Sequence, residues 1–583
     1  MTFAALARAT ARLLFSAGLC GLSACATHDV VIRNGLVYDG SGAAPYVGDV
    51  VVDGRKIRYA GPSSAQRGRV EIDAKGLAVA PGFINMLSWA NESMVLDGRA
   101  QSDLRQGVTL EVFGEGTSMG PLNDAMKRSM LEHQGDLRFD VNWTTLDEYL
   151  RGLRKQGIAP NVASFVGATT VRVHVLGEGD VDPTAQQLDQ MKQLVRRAME
   201  DGALGVGASL IYAPASFAET PELTALAAEA GRCGGMYTAH IRSEGNHFLE
   251  AVDETVQIAR DASVPAEIYH LKAVGRGNWH KLPEAVARIE AANRAGLRVT
   301  ANMYPYIAAW TGLDAAMPTW VQEGGLDAWF ERLKDPAIRA RVMAEMRSTD
   351  TEWENNFQAA GGGAGILLIG FKSEALKPLT GKTLEEIARM RGVSAEEAAL
   401  DLVVEDRSRV DTIYFAMSED NVHRMLKLPY VSFGSDAPAP APEGAFLLSS
   451  THPRSYGTFA RVLGHYVRDE NALTLQDAVR RMTSLPAGNL GLHDRGRLVA
   501  GAFADIVVFD AATISDPATF VKPHQFATGV RHVLVNGKLA LRDGEPTGAA
   551  TGEVVRGRGW TGWADGGCRR SGADWNRTPI LAQ

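Results

Sequence analysis

The sequence predicts an α/β protein, a (β/α)8 barrel of the TIM type joined to a small β-sandwich domain that both chain ends form together. Three observations lead to this prediction. Eight apolar, strand-like runs alternate with helical segments through the middle of the chain, short β-branched runs with Asn-Gly and Asp-Gly turns occur near both ends, and the chain is long. With 583 residues, 45% of them hydrophobic, it can form one large domain and a smaller one.

The first 25 residues have the composition of an export signal. Arg8 and Arg12 precede an apolar run that is too short to span a membrane and that ends in small residues. The stretch "LSAC", which ends at Cys25, resembles the bacterial lipobox, whose cysteine is acylated and becomes the mature N-terminus. We therefore expect an exported lipoprotein with a lipid anchor on Cys25, in the periplasm or at the outer membrane of a Gram-negative bacterium. Ordinary signal cleavage near this point is the alternative.

Three cysteines would remain after such processing. Only Cys233 and Cys568 could then pair, but an exported protein of this size does not need a disulfide for its stability. We interpret Cys233 as a buried thiol and leave the state of Cys568 open.

The β-rich segments lie near the two ends of the chain. Residues 29–76 alternate β-branched runs with tight-turn residues, and a similar pattern returns within residues 486–556 in "ADIVVFD" and "VRHVLVNGKLALRDGE". We expect these two segments to build one β-sandwich together. The tail, residues 557–583, has a loop-like composition and yields no functional argument.

Residues 77–485 carry the barrel pattern. Strand-like runs begin near residues 77, 109, 162, 204, 236, 265, 298 and 431. The stretches between several of them have apolar residues at helical spacing and stop at glycine. The segment 306–428 is too long for a loop and contains two further strand-like runs, "GILLIGF" and "DTIYFAM". We interpret it as an insertion before the last barrel strand that could help to cover the site.

Polar residues follow several of the predicted barrel strands. They are Glu115 after the second strand, His240 after the fifth, His270 and Lys272 after the sixth, and Asp436 after the eighth. Because chemistry in such barrels takes place at the C-terminal ends of the strands, these side chains would converge at one mouth. Two imidazoles and a carboxylate make a three-ligand zinc site, and Asp436 could move a proton from an activated water to a leaving amide nitrogen. Either histidine alone would more often be a core or rim residue.

The composition argues against nucleic acid as a partner. The chain has 60 basic and 68 acidic residues, a net charge of −8, and its sequence contains no basic stripe or repeated aromatic spacing. A small molecule is the expected ligand, and the sequence does not indicate an oligomeric state.

Several motifs, in their order and spacing, resemble one enzyme family. They are "PGFIN", "LIYAPASF", "YTAHIRSEG", "EIYHLKAVG", "MYPYIA", "GSDAP", "HPRSYGTFARVL", "MTSLPAGNLGL" and "GAFADIVVFD". From about residue 29 to about residue 556 the chain is similar to the D-aminoacylase, or N-acyl-D-amino-acid deacylase, branch of the amidohydrolase superfamily. The resemblance implies a (β/α)8 barrel with a flanking β-sandwich. It also implies zinc-dependent hydrolysis of the amide bond of N-acyl-D-amino acids or of small peptides with a D-residue.

The resemblance implies roles for individual residues. His240 and His270 match the family's metal ligands, and Asp436 matches its catalytic aspartate. Glu115 falls where D-aminoacylases commonly have a cysteine ligand, so an anionic donor is kept. The residues that match the substrate pocket are Lys272, Tyr304 and Tyr212. Each of these three could instead be an ordinary rim residue.

The histidine pair that the family carries on its first strand is absent. Leu87 and Trp89 occupy the two aligned positions, and neither side chain binds zinc. We therefore expect one zinc ion per chain, held by Glu115, His240 and His270, with manganese or cobalt as alternatives. Trp89 would form an apolar wall of the substrate pocket, or merely pack.

Arg454, in "THPRSYGTF", follows the last barrel strand and could pair with a substrate carboxylate. An arginine that ties the loop to the barrel would have the same pattern.

Two other functions stay open: a related amidohydrolase that acts on cyclic amides or L-peptides, and a non-catalytic binding lipoprotein that has lost part of its metal site. The retained ligand set argues against the second.

Overall fold

The computed structural model describes residues 27–569. The predicted leader with Cys25 lies outside this range, as does the end of the predicted tail. The strands are β1 (Thr27–Val37), β2 (Tyr46–Asp53), β3 (Lys56–Gly61), β4 (Arg67–Asp73), β5 (Ala78–Pro81), β6 (Phe83–Asn85), β7 (Val108–Phe113), β8 (Asn161–Ser164), β9 (Val166–Gly167), β10 (Gly205–Ser209), β11 (Met236–His240), β12 (Ala266–Ile268), β13 (Val299–Met303), β14 (Ala309–Gly312), β15 (Ile366–Gly370), β16 (Asp411–Tyr414), β17 (Val431–Phe433), β18 (Ile506–Phe509), β19 (Val530–Val535), β20 (Lys538–Arg542) and β21 (Glu545–Pro546).

Most helices connect successive strands. They are α1 (Ala90–Leu96), α2 (Gln101–Leu104), α3 (Asp124–His133), α4 (Leu146–Gln156), α5 (Ala168–Leu176), α6 (Ala185–Glu200), α7 (Thr220–Arg232), α8 (Phe248–Asp261), α9 (Leu282–Arg294), α10 (Gly325–Arg332), α11 (Pro336–Met346), α12 (Asn356–Ala359), α13 (Leu384–Arg391), α14 (Ala395–Asp406), α15 (Glu419–Leu426), α16 (Arg454–Arg461), α17 (Leu475–Met482) and α18 (Ser484–Asn489). Among residues 27–569, no helix combines the length and the apolar character that a membrane crossing requires.

One nine-stranded sheet joins the two ends of the chain. Its order is β21-β20-β19-β18-β5-β1-β2-β3, and β4 pairs with β1 in parallel. β18 from the C-terminal part runs antiparallel to β5 from the N-terminal part, with Val507 opposite Ala80. Apolar residues from both parts, such as Ile32, Val52 and Val508, bury one face of this sheet in a shared cluster. The two ends of the chain thus form one β domain.

Eight parallel strand positions form the barrel. One sheet has the order β17-β13-β12-β11-β10-β9, a second has the order β6-β7-β8, and β8 and β9 are two parts of the third barrel strand. The ring closes between the first and last strands, where the Met86 N–H donates to the Phe433 carbonyl over 3.3 Å. The predicted fold class, a barrel with a small β domain from both ends, is confirmed.

The apolar run 77–87 is not the single strand that the sequence predicted. β5 belongs to the terminal sheet, and only β6 belongs to the barrel. The chain passes between the two sheets at Gly82, whose N–H bonds to the Asp505 carbonyl over 2.9 Å. A Cβ at this position would lie 2.2 Å from Thr109 Oγ1, so only glycine allows the approach. A continuous apolar run gives no sign of such a transfer between sheets.

The segment predicted as an insertion contains a small sheet of its own. β14, β16 and β15 pair antiparallel in that order, and the runs "GILLIGF" and "DTIYFAM" supply β15 and β16. Its strands and helices share an apolar core that includes Trp329, Leu368 and Leu400. Other residues of the segment line the cavity at the C-terminal ends of the barrel strands.

The interpretation of Cys233 as a buried thiol is wrong. Cys233 and Cys568 form a disulfide between the end of α7 and the C-terminal segment. Gly559 lies against both cysteines, since a Cβ there would come within 2.9 Å of Cys233 Cβ and 2.8 Å of Cys568 Sγ. The two cysteines are 335 residues apart, and no local pattern indicates that the fold brings them together.

Candidate metal centre and substrate pocket

Three potential metal ligands converge at the C-terminal mouth of the barrel. Glu115 follows β7, His240 ends β11 and His270 follows β12, and all three are buried. Glu115 Oε1 lies 3.2 Å from His240 Nδ1 and 2.9 Å from His270 Nε2. The ligand atoms of the three residues all lie within 4.8 Å of one another. The structure thus brings together the three residues that the sequence predicted as ligands.

The backbone around these residues is shaped to present them. Gly116, directly after Glu115, has a φ of 70°, and a Cβ there would lie 2.3 Å from Ser209 Cβ. His270 itself has a φ of 33°, a value that few non-glycine residues adopt. Its N–H donates to Asn302 Oδ1 over 2.8 Å, which holds this turn. The unusual backbone at Gly116 and His270 orients the Glu115 and His270 side chains toward a common centre.

The electrostatics of the cluster favour a cation. Burial opposes the ionisation of Glu115, yet the neighbouring His270 and His240 hold its pKa well below the usual range. Burial and the charge of Lys272 lower the pKa of His270, but the carboxylates of Glu244 and Glu115 outweigh them and raise it to about 9. A pKa raised in this way shows that the carboxylates stabilise positive charge at this point.

Glu244 is a functional residue that the sequence reasoning missed. Its Oε1 lies 3.1 Å from His270 Nδ1 and accepts a hydrogen bond from Lys272 Nζ over 2.5 Å. Its Oε2 lies 3.6 Å from His240 Nε2. A carboxylate on the outer nitrogen of a ligating histidine fixes the ring and its tautomer. The signal was present in "YTAHIRSEG", where an acidic residue follows His240 by four positions.

These residues fit a divalent transition metal. Two imidazole nitrogens and one carboxylate oxygen are the donor set of many catalytic zinc sites, which leave a further position for water or substrate. His270 Nδ1 lies 3.1 Å from Glu244 Oε1, so one of the two rings also has the carboxylate partner that such sites use.

Asp436 lies beside the cluster, after β17, and forms a buried ion pair. Arg454 Nη2 lies 2.8 Å from Asp436 Oδ2, and both side chains are at least 90% buried. Burial raises the pKa of Asp436 to about 6, although Arg454 opposes this shift. A carboxyl group with this pKa can accept and return a proton near neutral pH.

The Arg454 guanidinium is only partly hydrogen-bonded. Within the part of the chain that the structure describes, its Nε and Nη1 find no hydrogen-bond partner, although both are buried. The guanidinium also lies 4.5 Å from the centre of the Tyr304 ring. Because the side chain borders the cavity, its positive charge can attract an anion there.

The cavity above the cluster has a volume of about 660 Å³. Each residue predicted to contact the substrate borders it: Trp89, Tyr212, Lys272, Tyr304 and Arg454. The insertion adds a group that the sequence reasoning did not identify: Trp310, Asp314, Arg409 and Asp411. Arg409 Nη2 lies 2.7 Å from Asp314 Oδ2, so its charge is balanced within the insertion.

The two positions of the missing histidine pair differ from each other. The Leu87 side chain is fully buried, whereas Trp89 is half-buried and borders the cavity. Trp89 is also more than the apolar wall that the sequence predicted, because its Nε1–H donates to Glu115 Oε2 over 2.7 Å.

Comparison with known proteins assigns the chain to a family. Residues 70–540 match the model of the amidohydrolase family named Amidohydro_3. A D-aminoacylase of Alcaligenes xylosoxydans xylosoxydans is 33% identical over 90% of this chain and 97% of its own length. A D-aminoacylase structure described for its binuclear metal centre has a TM-score of 0.76 and 33% identity, covering 91% of this chain and 100% of that one. The N-acyl-D-glutamate deacylase of Bordetella bronchiseptica, complexed with zinc and a phosphonate inhibitor, has a TM-score of 0.73 and 30% identity over the same shares. The resemblance drawn from the sequence motifs is thereby confirmed, and the chain belongs to the amidohydrolase family, in the branch of the D-aminoacylases and N-acyl-D-amino-acid deacylases.

Proposed function

We propose that this protein is a metal-dependent hydrolase that cleaves the amide bond of N-acyl-D-amino acids or of small peptides with a D-residue. One observation carries the proposal: the buried cluster of Glu115, His240 and His270 opens, beside Asp436, into a cavity that Arg454 also borders. Relatives that match nearly the whole chain are named as D-aminoacylases and D-amino-acid deacylases.

The metal in this proposal is zinc, one ion per chain. Glu115, His240 and His270 would hold it, a donor set that also accepts manganese or cobalt. Support comes from the related N-acyl-D-glutamate deacylase, whose structure contains zinc. When bound, such an ion polarises a carbonyl group and makes water acidic enough to attack near neutral pH.

The chain's own residues would supply the proton transfers. Asp436 takes a proton from the attacking water and gives it to the amide nitrogen as the C–N bond breaks, which releases a carboxylate and a free amine. Its buried position beside Arg454 keeps the proton acceptor in one orientation. Lys272, whose Nζ donates to Glu244, places a positive charge at the wall of the cavity, where it would stabilise the oxygen that becomes negative.

Substrate recognition would depend on charge at one end and on apolar surface at the other. Arg454, which borders the cavity, would bind the carboxylate of the amino acid. The rings of Trp89 and Tyr212 border the same cavity and provide surface for the acyl group or side chain. Tyr304 lies between the Arg454 guanidinium and the His270 ring, at 4.5 and 6.2 Å from its ring centre. Its hydroxyl can contact a substrate held between these groups.

A comparison of substrates tests this function. Purified protein with zinc would be assayed against N-acetyl-D-methionine, N-acetyl-L-methionine and a dihydropyrimidine, which is a cyclic amide. Faster hydrolysis of the D-isomer is the expected result. Faster turnover of the L-isomer or of the cyclic amide would replace the proposal by the corresponding amidohydrolase, and turnover of none of a broader acyl panel would favour a binding protein.

We also propose that the protein is exported and anchored through a lipid on Cys25, in the periplasm or at the outer membrane. The disulfide between Cys233 and Cys568 supports export, because disulfides persist mainly in oxidising compartments. Fractionation of cells that express the wild type or Cys25→Ala tests this proposal. Loss of the protein from the membrane fraction is expected in the variant, and an unchanged distribution would contradict the anchor.

A further inference from the structure

The second oxygen of the Glu115 carboxylate has a specific partner. Oε1 faces His240 and His270, whereas Oε2 accepts the Trp89 Nε1–H bond of 2.7 Å. The Trp89 backbone is held as well, since its N–H donates to the Ala437 carbonyl over 3.0 Å. The indole therefore reaches Glu115 from a fixed point, the start of α1.

We propose that Trp89 is a positioning residue of the metal centre, whose indole N–H orients Glu115 and closes the side of the carboxylate on which a second ion would bind. This inference rests on the proposed metal-dependent function. It gives Trp89 a role that differs from forming an apolar wall, because phenylalanine would serve as a wall equally well.

The chemistry of the indole supports this role. Nε1–H is a donor only and cannot coordinate a cation, so an oxygen that accepts it is turned away from metal binding on that side. A hydrogen bond to an ionised carboxylate is among the stronger ones in proteins, and it is stronger still when the pair is shielded from water. Glu115 is 4% exposed, so the loss of this bond would leave a buried charged oxygen without a partner.

Among residues 27–569, Glu115, His240 and His270 are the one group of three or more potential ligands, so the described residues offer no second three-ligand site beside Glu115. Leu87 carries no ligand atom, and its side chain is fully buried. Asp436, the other carboxylate that the sequence predicted for the site, is paired with Arg454 at 2.8 Å. A second ion would therefore have to displace the indole and compete with the Arg454 ion pair.

The test compares Trp89→Phe with wild type. This change keeps an aromatic ring at the cavity wall and removes the N–H donor together with part of the indole's volume. The matched control is Trp320→Phe, because Trp320 Nε1 likewise donates to a carboxylate, Glu345 Oε2 at 3.0 Å, but lies outside the cavity. Zinc affinity would be measured by competition with a chelator, zinc content by mass spectrometry with increasing zinc, and ligand geometry by the visible absorption of the cobalt-substituted proteins.

We expect wild type and Trp320→Phe to saturate at one ion and to show the same affinity and the same cobalt spectrum. Trp89→Phe should bind zinc about 10- to 100-fold more weakly, the usual effect of losing a partner of a metal ligand, with an altered cobalt spectrum. Unchanged affinity and spectrum in Trp89→Phe would overturn the positioning role, and a wild type that binds two ions with similar affinity would overturn the closure. A wild type that binds no zinc at all would instead contradict the metal-dependent function on which this inference rests.

Discussion

Arg454 Nη2 and Asp436 Oδ2 lie 2.8 Å apart in a buried ion pair at the wall of the cavity. The pair joins the residue proposed to transfer protons to the residue proposed to bind the substrate carboxylate. Both functions therefore depend on one contact, and a change at either residue should affect the other.

Replacement of Arg454 by glutamine should change both the pH profile and the Michaelis constant. Burial raises the pKa of Asp436 to about 6, and the positive charge of Arg454 lowers it, so removal of that charge should raise the pKa further. Because Asp436 must be ionised to accept the first proton, the acidic limb of kcat/KM should move to higher pH. KM for the N-acyl amino acid should rise about 10- to 100-fold through the lost charged hydrogen bonds.

Arg468→Gln, which removes a cation paired with Asp469 outside the cavity, is the control. An acidic limb that stays in place would show that Arg454 does not act on Asp436.

Asp436→Asn should abolish most proton transfer and leave metal binding intact. Loss of a general acid or base typically costs about 100- to 10,000-fold in rate, and the structure places Asp436 beside the three ligands without including it among them. The measurement is kcat together with zinc content, with Asp401→Asn on the insertion as the control. If kcat falls only because the zinc content falls, Asp436 is a ligand and not the proton carrier.

Glu244→Gln should weaken metal binding. Glu244 Oε1 lies 3.1 Å from His270 Nδ1 and accepts a hydrogen bond from Lys272, and the loss of such a partner typically weakens metal affinity about 10- to 100-fold. Competition with a chelator measures the effect, and the exposed Glu284 provides a control variant, Glu284→Gln. Equal zinc affinity in wild type and Glu244→Gln would show that this carboxylate does not support the ligands.

Cys568→Ser should reduce stability without reducing activity. The disulfide ties the C-terminal segment to α7, and neither cysteine borders the cavity. Loss of such a crosslink commonly lowers the free energy of unfolding by about 2–4 kcal/mol. Denaturant unfolding with and without a reductant checks this: the reductant should destabilise wild type and leave Cys568→Ser unaffected. Equal stability of the two proteins under oxidising conditions would contradict the prediction.

Sequence reasoning located the three potential ligands because each one ends or follows an apolar strand. Glu115, His240 and His270 stand out in "FGEG", "YTAHI" and "EIYHL", and the barrel geometry alone requires strand ends to meet. The site thus follows from local pattern plus one rule of topology.

Contacts that depend on chain segments far apart in sequence were not predictable in the same way. The disulfide joins positions 335 residues apart, and the transfer of residues 77–87 between two sheets depends on a close approach at Gly82. The bond from Trp89 to Glu115 depends on which way an indole turns at the end of the first barrel strand. Side-chain direction of this kind is set by packing among neighbouring strands, which periodicity does not record.

The most direct test of the account is the metal content per chain, measured by mass spectrometry on wild type, His270→Ala and the control His280→Ala, with hydrolysis of an N-acetyl-D-amino acid followed on the same samples. We predict about one zinc per chain and D-selective hydrolysis in wild type and His280→Ala, and the loss of both in His270→Ala. A metal-free wild type, or a His270→Ala variant that keeps its zinc and its D-selective activity, would contradict the account.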